Sequence, residues 1–374
     1  MPSVRLLDAL TIDRIAAGEV VERPADAVKD LVENALDAGA RRVEVAVEDG
    51  GRRVIRVADD GAGFAPEDLA LAVERHATSK LPDGDLAAIA SFGFRGEALP
   101  SIAAVSRLEI RTRAEGADGG LRLVVEQGVK GAVAPVGHPR GSTIEARDLF
   151  AATPARLKFL KSPRAEALAC ADAIRRLAIA HPQARFAFAS DEGGAFDWPA
   201  CPPGPQGARM RSGQALGPDF LDDALDIDAT REGVRLTGLV AVPTHHRSNA
   251  QAQYFSVNGR AVRDRLLAGA LAGAYADFLP AGRKAVAILD VACDPRFVDV
   301  NVHPAKTEVR FADPGLVRGL IVGAIRERLG AARHRASVGG GLAAAALFAR
   351  DFGAAPNGYG SAHAPTGGFA EPAQ

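Results

Sequence analysis

Asp30, Glu33, Asn34 and Asp37 stand at i, i+3, i+4 and i+7, so on a helix three carboxylates and one carboxamide share a face. The economical reading of such a row is a solvated acidic surface. What raises a sharper one is the Asn among carboxylates, followed within one hairpin by Asp59-Asp60-Gly61-Ala62-Gly63. Asp59 has the parity of Ile55 and Val57 and should aim at the face those residues bury. A carboxylate aimed there is costly without a hydrogen-bonding partner. Backbone N–H groups would satisfy it, and so would a donor on a ligand, such as the exocyclic amine of adenine. Gly61 and Gly63 end the strand and permit close backbone approach. Further on come His76-Ala77-Thr78-Ser79-Lys80 and Ser91-Phe92-Gly93-Phe94-Arg95-Gly96-Glu97. Glycines flanking Phe-Arg, after a Thr-Ser-Lys cluster, suit a flap whose N–H groups cradle phosphates, although many such loops bind nothing. Together these stretches look like half of a nucleotide and magnesium site.

The elements that must position them can be read in order. Ile12–Val21 reads as an amphipathic helix or arm. Pro24 suits the first turn of the acidic helix, and Gly39 suits the left-handed residue past its end. Val28, Leu31, Val32, Ala35 and Leu36 give that helix an apolar face. Val43, Val45 and Val47 alternate up to Asp49-Gly50-Gly51, and Ile55 and Val57 resume the alternation, a hairpin signature. Helices are predicted at 66–76 and from 98 to 105, with strands around 107–113, 121–126 and 141–146. Antiparallel hairpins mixed with helices indicate a two-layer α/β sandwich and not a parallel doubly wound sheet.

Asp191-Glu192-Gly193-Gly194 and Cys201-Pro202-Pro203-Gly204-Pro205 mark a boundary, giving a first domain of 1–205 and a second of 206–331. The second holds the strand and turn Tyr254–Arg260, a helix near 264–278, a strand at 285–291, the loop 299–306 and a helix near 314–331. From 332 the chain turns to Ala, Gly, Ser and Pro, the composition of a flexible linker or tail.

At 374 residues the chain can hold two cores, and 47% hydrophobic content excludes wholesale disorder. Its net charge of −1 exerts no global pull on nucleic acid, so such contact needs local basic patches. Residues 140–185 offer one, with nine Arg or Lys against four acids; a solvated face is the alternative. Cys170, Cys201 and Cys293 are too scattered for a disulfide framework or zinc ribbon. With no apolar signal core and no run of membrane-spanning length, a soluble cytoplasmic protein without membrane contact is expected.

No G-x-x-x-x-G-K-[ST] loop and no G-x-S-x-G elbow occurs, which removes Walker-type nucleotide binding and the elbow hydrolases. The set that coheres is the acidic helix, Asp-x-Gly-x-Gly, Gly93-Phe94-Arg95-Gly96-Glu97 and Gly141-Ser142-Thr143. It resembles the GHKL ATPase superfamily. Ile15–Ala25, His76–Lys80, Gly93–Leu99 and Asn301-Val302-His303-Pro304-Ala305-Lys306 narrow the resemblance to the MutL mismatch-repair family, over about residues 3–331.

That resemblance implies a GHKL (Bergerat) sandwich followed by a smaller α/β domain of the ribosomal-protein-S5-like type. It implies ATP and Mg²⁺ as cofactors, with Asn34 on the metal, Asp59 on the adenine amine, Gly61 and Gly63 near the base, and Thr143 supporting Asp59. Thr78, Ser79, Lys80, Gly93, Phe94, Arg95 and Gly96 would form a lid over the phosphates, and Lys306 would reach the γ-phosphate from the second domain. The superfamily's usual general base is a Glu one turn before the Asn; here that place holds Asp30, one methylene short, with Glu33 as substitute. Slow hydrolysis is expected. The implied role is an ATP-gated matchmaker in DNA mismatch repair, acting as a timer. Its partners would be DNA, a MutS-like mismatch-recognition protein, a downstream helicase or nuclease, and a second copy of the chain on ATP binding, with association at the nucleoid. Arg260, Arg263 and Arg265 are the candidates for the DNA groove. A topoisomerase II ATPase module or a GHKL chaperone would share the nucleotide site, but the Asn301–Lys306 loop argues against the first. Long charged linkers expected of the second are not visible. Family members generally carry a C-terminal dimerisation domain beyond the linker, in many a metal-dependent endonuclease; no nuclease motif is present here, so nicking is not expected of these residues.

Overall fold

The computed structural model describes residues 4, 6–80, 92–93, 96–126, 128–302 and 308–351. The chain enters through helices α1 (Ala9–Val20) and α2 (Pro24–Asp37), then strands β1 (Arg42–Glu48) and β2 (Val54–Asp59). Helices α3 (Pro66–Leu71) and α4 (Ala98–Val105) precede β3 (Arg107–Arg113), β4 (Gly120–Glu126), β5 (Val129–Lys130), β6 (Ala134–Val136) and β7 (Gly141–Arg147). Helices α5 (Pro154–Phe159) and α6 (Pro163–Ala180) lead to β8 (Arg185–Ser190) and β9 (Phe196–Trp198). These strands make one sheet in the order β5-β4-β3-β7-β2-β1-β8-β9, with β6 also on β4; β1 and β8 pair in parallel, and the other ladders are antiparallel.

Alternation decides the layers. Val43, Val45, Val47, Ile55, Val57, Leu108, Ile110, Ile144, Phe186 and Phe188 bury one face of the sheet, while Arg56 and Arg111 stand exposed on the other. Helices α2, α4 and α6 supply the second layer through Val28, Leu31, Val32, Ile102, Ile174 and Leu177. The result is the two-layer sandwich that the sequence pattern implies.

Helix α2 forms where its signals place it. Pro24 occupies the first turn, and the Asp26 carboxylate accepts from the N–H groups of Glu22 and Arg23 at 3.1 and 3.0 Å. Gly39 ends the helix at φ +75°. Helix α3 stops at Leu71 instead of running to 76, and the chain turns there through His76 at φ +64°.

Helices α7 (Pro205–Leu216) and α8 (Pro218–Asp222) open the second half. Strands β10 (Ala224–Arg231), β11 (Val234–Ala241), β12 (His246–Arg247), β13 (Gln253–Val257) and β14 (Arg260–Val262) follow, then helix α9 (Arg265–Ala274). Strands β15 (Lys284–Ala285), β16 (Ala287–Ala292), β17 (Val298–Asp299) and β18 (Arg310–Phe311) lead to helix α10 (Pro314–Asp351). The second sheet runs β10-β11-β16-β13-β14, with β13 and β16 parallel. Helix α7 starts at the expected division at 205/206 and runs into the second part, yet it docks at the end of the first sheet. Its Arg211 is fully buried and donates through one terminal nitrogen to the carbonyls of Pro182, Ala184 and Pro199 at 3.0, 2.6 and 3.1 Å.

Residues 1–328 form one compact unit and 329–374 another. In the second, the helix expected to end near 331 continues to Asp351, through an Ala-rich run of high helix propensity.

Candidate functional site

The polar row of α2 does not face bulk water. Asp30, Asn34 and Asp37 line a cavity of about 550 Å³ together with Asp59, Gly63, Thr78, Ser79, Lys80, Gly93 and Gly96. Ten residues from four separate stretches thus meet in one concavity. Phe64, Leu71, Ala72, Leu99 and Ile144 give it an apolar wall. The first turn of α4 (Ala98, Leu99, Pro100) also opens onto it with no side chain capping the helix, which presents the positive end of a helix dipole.

Asp59 points as parity requires. Its Oδ1 accepts the N–H of Gly61 at 2.8 Å, and the residue lines the cavity. Burial raises its pKa to about 6, against the hydrogen bonds from Gly61 and Ser142 backbone that lower it. Backbone hydrogen bonds and a place on the cavity wall coexist in this one residue.

The Asn34–Asp37 side of the row already holds a charge. Lys80 Nζ donates to Asn34 Oδ1 at 2.8 Å and forms an ion pair with Asp37. Asp37 also accepts the N–H groups of Phe92 and Gly93, each at 3.0 Å. Asp37 therefore ties together both described ends of the Lys80–Gly93 stretch, a role the sequence reading missed. Its membership in the helical row was the available signal.

Several glycines have reasons other than the ones expected. A Cβ on Gly63, at φ +71°, would collide with the Arg113 carbonyl, so this glycine admits strand β3 and not only a ligand. Gly61 is off the cavity lining; a Cβ there would sit 2.9 Å from the Ala38 carbonyl and 3.0 Å from Asp59 Oδ1. Gly96, at φ +62°, packs its backbone on Ala77.

Other expected residues lie elsewhere. Thr143 pairs across the ladder with Ala58, while Ser142 pairs with Asp59. Opposed residues share a face, so Ser142 and not Thr143 stands beside Asp59; Thr143 meets His138 Nε2 at 3.0 Å on the other side. Strand register, which no single stretch reveals, decides this. Glu33 is 2% exposed, absent from the cavity lining, and lies 2.8 Å from Lys29 Nζ. Burial opposes the Lys29 charge, but Glu33 and Asp30 outweigh it and hold its pKa above the ordinary value. Glu33 is thus a structural ion-pair partner, not a cavity carboxylate. Phe94, Arg95 and Lys306 lie outside the described residues.

The three arginines expected in a DNA groove part company. Arg260 is 5% exposed, with its guanidinium 5.4 Å over the Phe92 ring and donating to the Phe92 carbonyl at 3.3 Å. It is an internal strut. Arg263 is half exposed and paired to Asp172 at 2.6 Å, and the Arg265 side chain is 94% exposed with Glu308 at 3.7 Å. Within 140–185, Arg140, Arg147, Arg176 and Arg185 pair with acids, while Lys158, Lys161 and Arg164 are exposed at the α5–α6 junction.

Comparison with known proteins adds two family matches. Residues 22–136 match the histidine kinase-, DNA gyrase B-, and HSP90-like ATPase family, and residues 213–330 match the C-terminal domain of DNA mismatch repair proteins. The DNA mismatch repair protein MutL of Methylocella silvestris is 61% identical over 347 residues, covering 93% of this chain and 57% of that protein. The MutL of Beijerinckia indica is 56% identical over 347 residues, with 93% and 54% covered. The chain thus spans about half the length of the curated relatives it matches. Among solved structures, the Aquifex aeolicus MutL ATPase domain complexed with ADP is 27% identical with a TM-score of 0.57, covering 81% of this chain and 98% of that one.

Proposed function

The chain belongs to the MutL family of DNA mismatch repair proteins, and from that premise we propose that its cavity binds ATP with Mg²⁺ and hydrolyses it slowly, as the timer of an ATP-gated step in mismatch repair. The observation that carries this is the cavity itself, which Asp59 lines and where Asn34 already accepts the Lys80 ammonium. Its volume lies in the range of small-ligand sites. The ADP of the similar Aquifex aeolicus domain supports the nucleotide assignment.

The residues fit a divalent cation at Asn34, because the ammonium of Lys80 is already accepted there. Among the described residues no three His, Cys, Asp or Glu converge as a metal cluster, so Asn34 Oδ1 would hold Mg²⁺ in company with phosphate oxygens and water. The ion would supply neutralisation of the charge developing on the transferred phosphoryl group. Asp59 accepts the adenine amine. Asp30, one turn before Asn34 on the cavity wall, orients and deprotonates the attacking water; its short arm accounts for slow turnover. Glu33 stays with Lys29. Thr78, Ser79, Lys80 and Gly93 to Gly96 cover the phosphates, and Lys306 senses the γ-phosphate.

On this reading residues 1–205 bind nucleotide, 206–331 transmit its state and 332–374 form a linker or tail; the first division is one of role, since α7 packs across it. ATP brings two copies of the chain together. DNA lies along Arg263, Arg265 and the exposed Lys158, Lys161 and Arg164, and a MutS-like protein and a helicase or nuclease act on either side. The test is ATPase activity with and without DNA at low and raised salt. Stimulation that fades with salt is expected; absence of turnover, or indifference to DNA at low salt, would reject the reading.

A further inference from the structure

We propose that Lys80 is a built-in counter-cation of the Asn34–Asp37 pair, which must withdraw before a divalent cation can take the Asn34 oxygen. This rests on the reading of the cavity as a nucleotide site. The Lys80 ammonium is 2.8 Å from Asn34 Oδ1 and ion-paired to Asp37, whose side chain is almost entirely buried. Gly93 closes the space above it: a Cβ there would lie 2.9 Å from Nζ and 3.3 Å from Asn34 Oδ1. The ammonium is thus boxed between α2 and the Phe92–Gly93 backbone, which Asp37 itself fixes.

Two consequences follow from charge alone. A buried carboxylate without a counter-ion is costly, so the resting cavity needs a cation at this point, and Lys80 supplies it. Two cations on one amide oxygen repel strongly in a partly buried site, so ammonium and metal occupy it in turn. Lys80 ends the segment Thr78-Ser79-Lys80, which lines the cavity, so its long arm can swing to phosphate oxygens after leaving Asn34. Asp37 keeps its hold on Phe92 and Gly93 throughout. Cation entry is thereby coupled to movement of the Lys80 side chain, while the Phe92 and Gly93 N–H groups stay on Asp37.

The test is Mn²⁺ binding to the nucleotide-free full chain, read by electron paramagnetic resonance, for wild type, Lys80→Met, Lys80→Arg and Lys80→Met with Asp37→Asn. Lys80→Met should bind Mn²⁺ at least tenfold more tightly than wild type. Lys80→Arg should match wild type, and the double variant should lose the gain. Equal affinity in wild type and Lys80→Met overturns the proposal. A second measurement needs no substitution: the acetylation rate of Lys80 in the wild type, followed by mass spectrometry, should rise several-fold with Mg²⁺ alone, and an unchanged rate again counts against it. Binding of a fluorescent ATP analogue to the wild type separates the two claims. If the analogue does not bind, the nucleotide reading fails; if it binds but Mn²⁺ affinity ignores Lys80, only the exchange fails.

Discussion

Burial holds the Asp59 carboxyl near pKa 6, within reach of ordinary buffers. Only its ionised form offers both oxygens as acceptors, so a ligand amine binds best above that pH. Protonation as pH falls through 6 places a donor against a donor. Between pH 7 and 5 the ionised fraction drops about tenfold, and the dissociation constant of an ATP analogue should rise by about the same factor. Asp59→Asn should bind weakly and show no such slope. The two acidic neighbours on α2 should separate in kind. Asp30→Asn, on the cavity wall, should lower kcat by about 100-fold or more with stability near wild type. Glu33→Gln breaks the buried contact with Lys29 and should cost about 3 kcal/mol of unfolding free energy, seen as a lower denaturant midpoint.

Element by element, α2 is the part most fully legible beforehand. Pro24, the apolar stripe and Gly39 give its limits, and the i, i+3, i+4, i+7 row gives its polar face. Local chemistry sufficed because each of these signals acts within a few residues. The same holds for Asp59, whose direction needs only the period of a strand. What was not legible depends on partners distant in sequence. Thr143 and Ser142 exchange roles through the β2–β7 register, and Arg260 turns inward because Phe92 lies under it. Arg211, unremarkable on a weakly patterned helix, becomes the bolt between α7 and the end of the first sheet. Arg211→Met should leave the carbonyls of Pro182, Ala184 and Pro199 without that donor, the Ala184 one buried, and destabilise by about 3 kcal/mol, measured by urea unfolding. Gly96→Ala would add a Cβ at positive φ against the Ala77 backbone, and should weaken nucleotide binding more than it lowers stability, because both residues line the cavity.

At the scale of the molecule, one chain of contacts joins the cavity to the second sheet. Asp37 holds Phe92 and Gly93, Phe92 stacks under Arg260, and Arg260 begins β14. A change at Asp37 thus has a physical route to the part of the chain that carries Arg263 and Arg265. Sedimentation velocity with a non-hydrolysable ATP analogue should show a shift toward dimer, absent with ADP. The proposed function turns on one event, the entry of Mg²⁺ and ATP between Asn34 and Asp59. Isothermal titration of the intact chain with Mg²⁺ and a non-hydrolysable ATP analogue measures that event directly. The expected result is one analogue bound per chain, weakened at least about tenfold, or ~1.4 kcal/mol, by either Asn34→Ala or Asp59→Asn. No saturable binding to the wild type, or wild-type affinity in both variants, would contradict it.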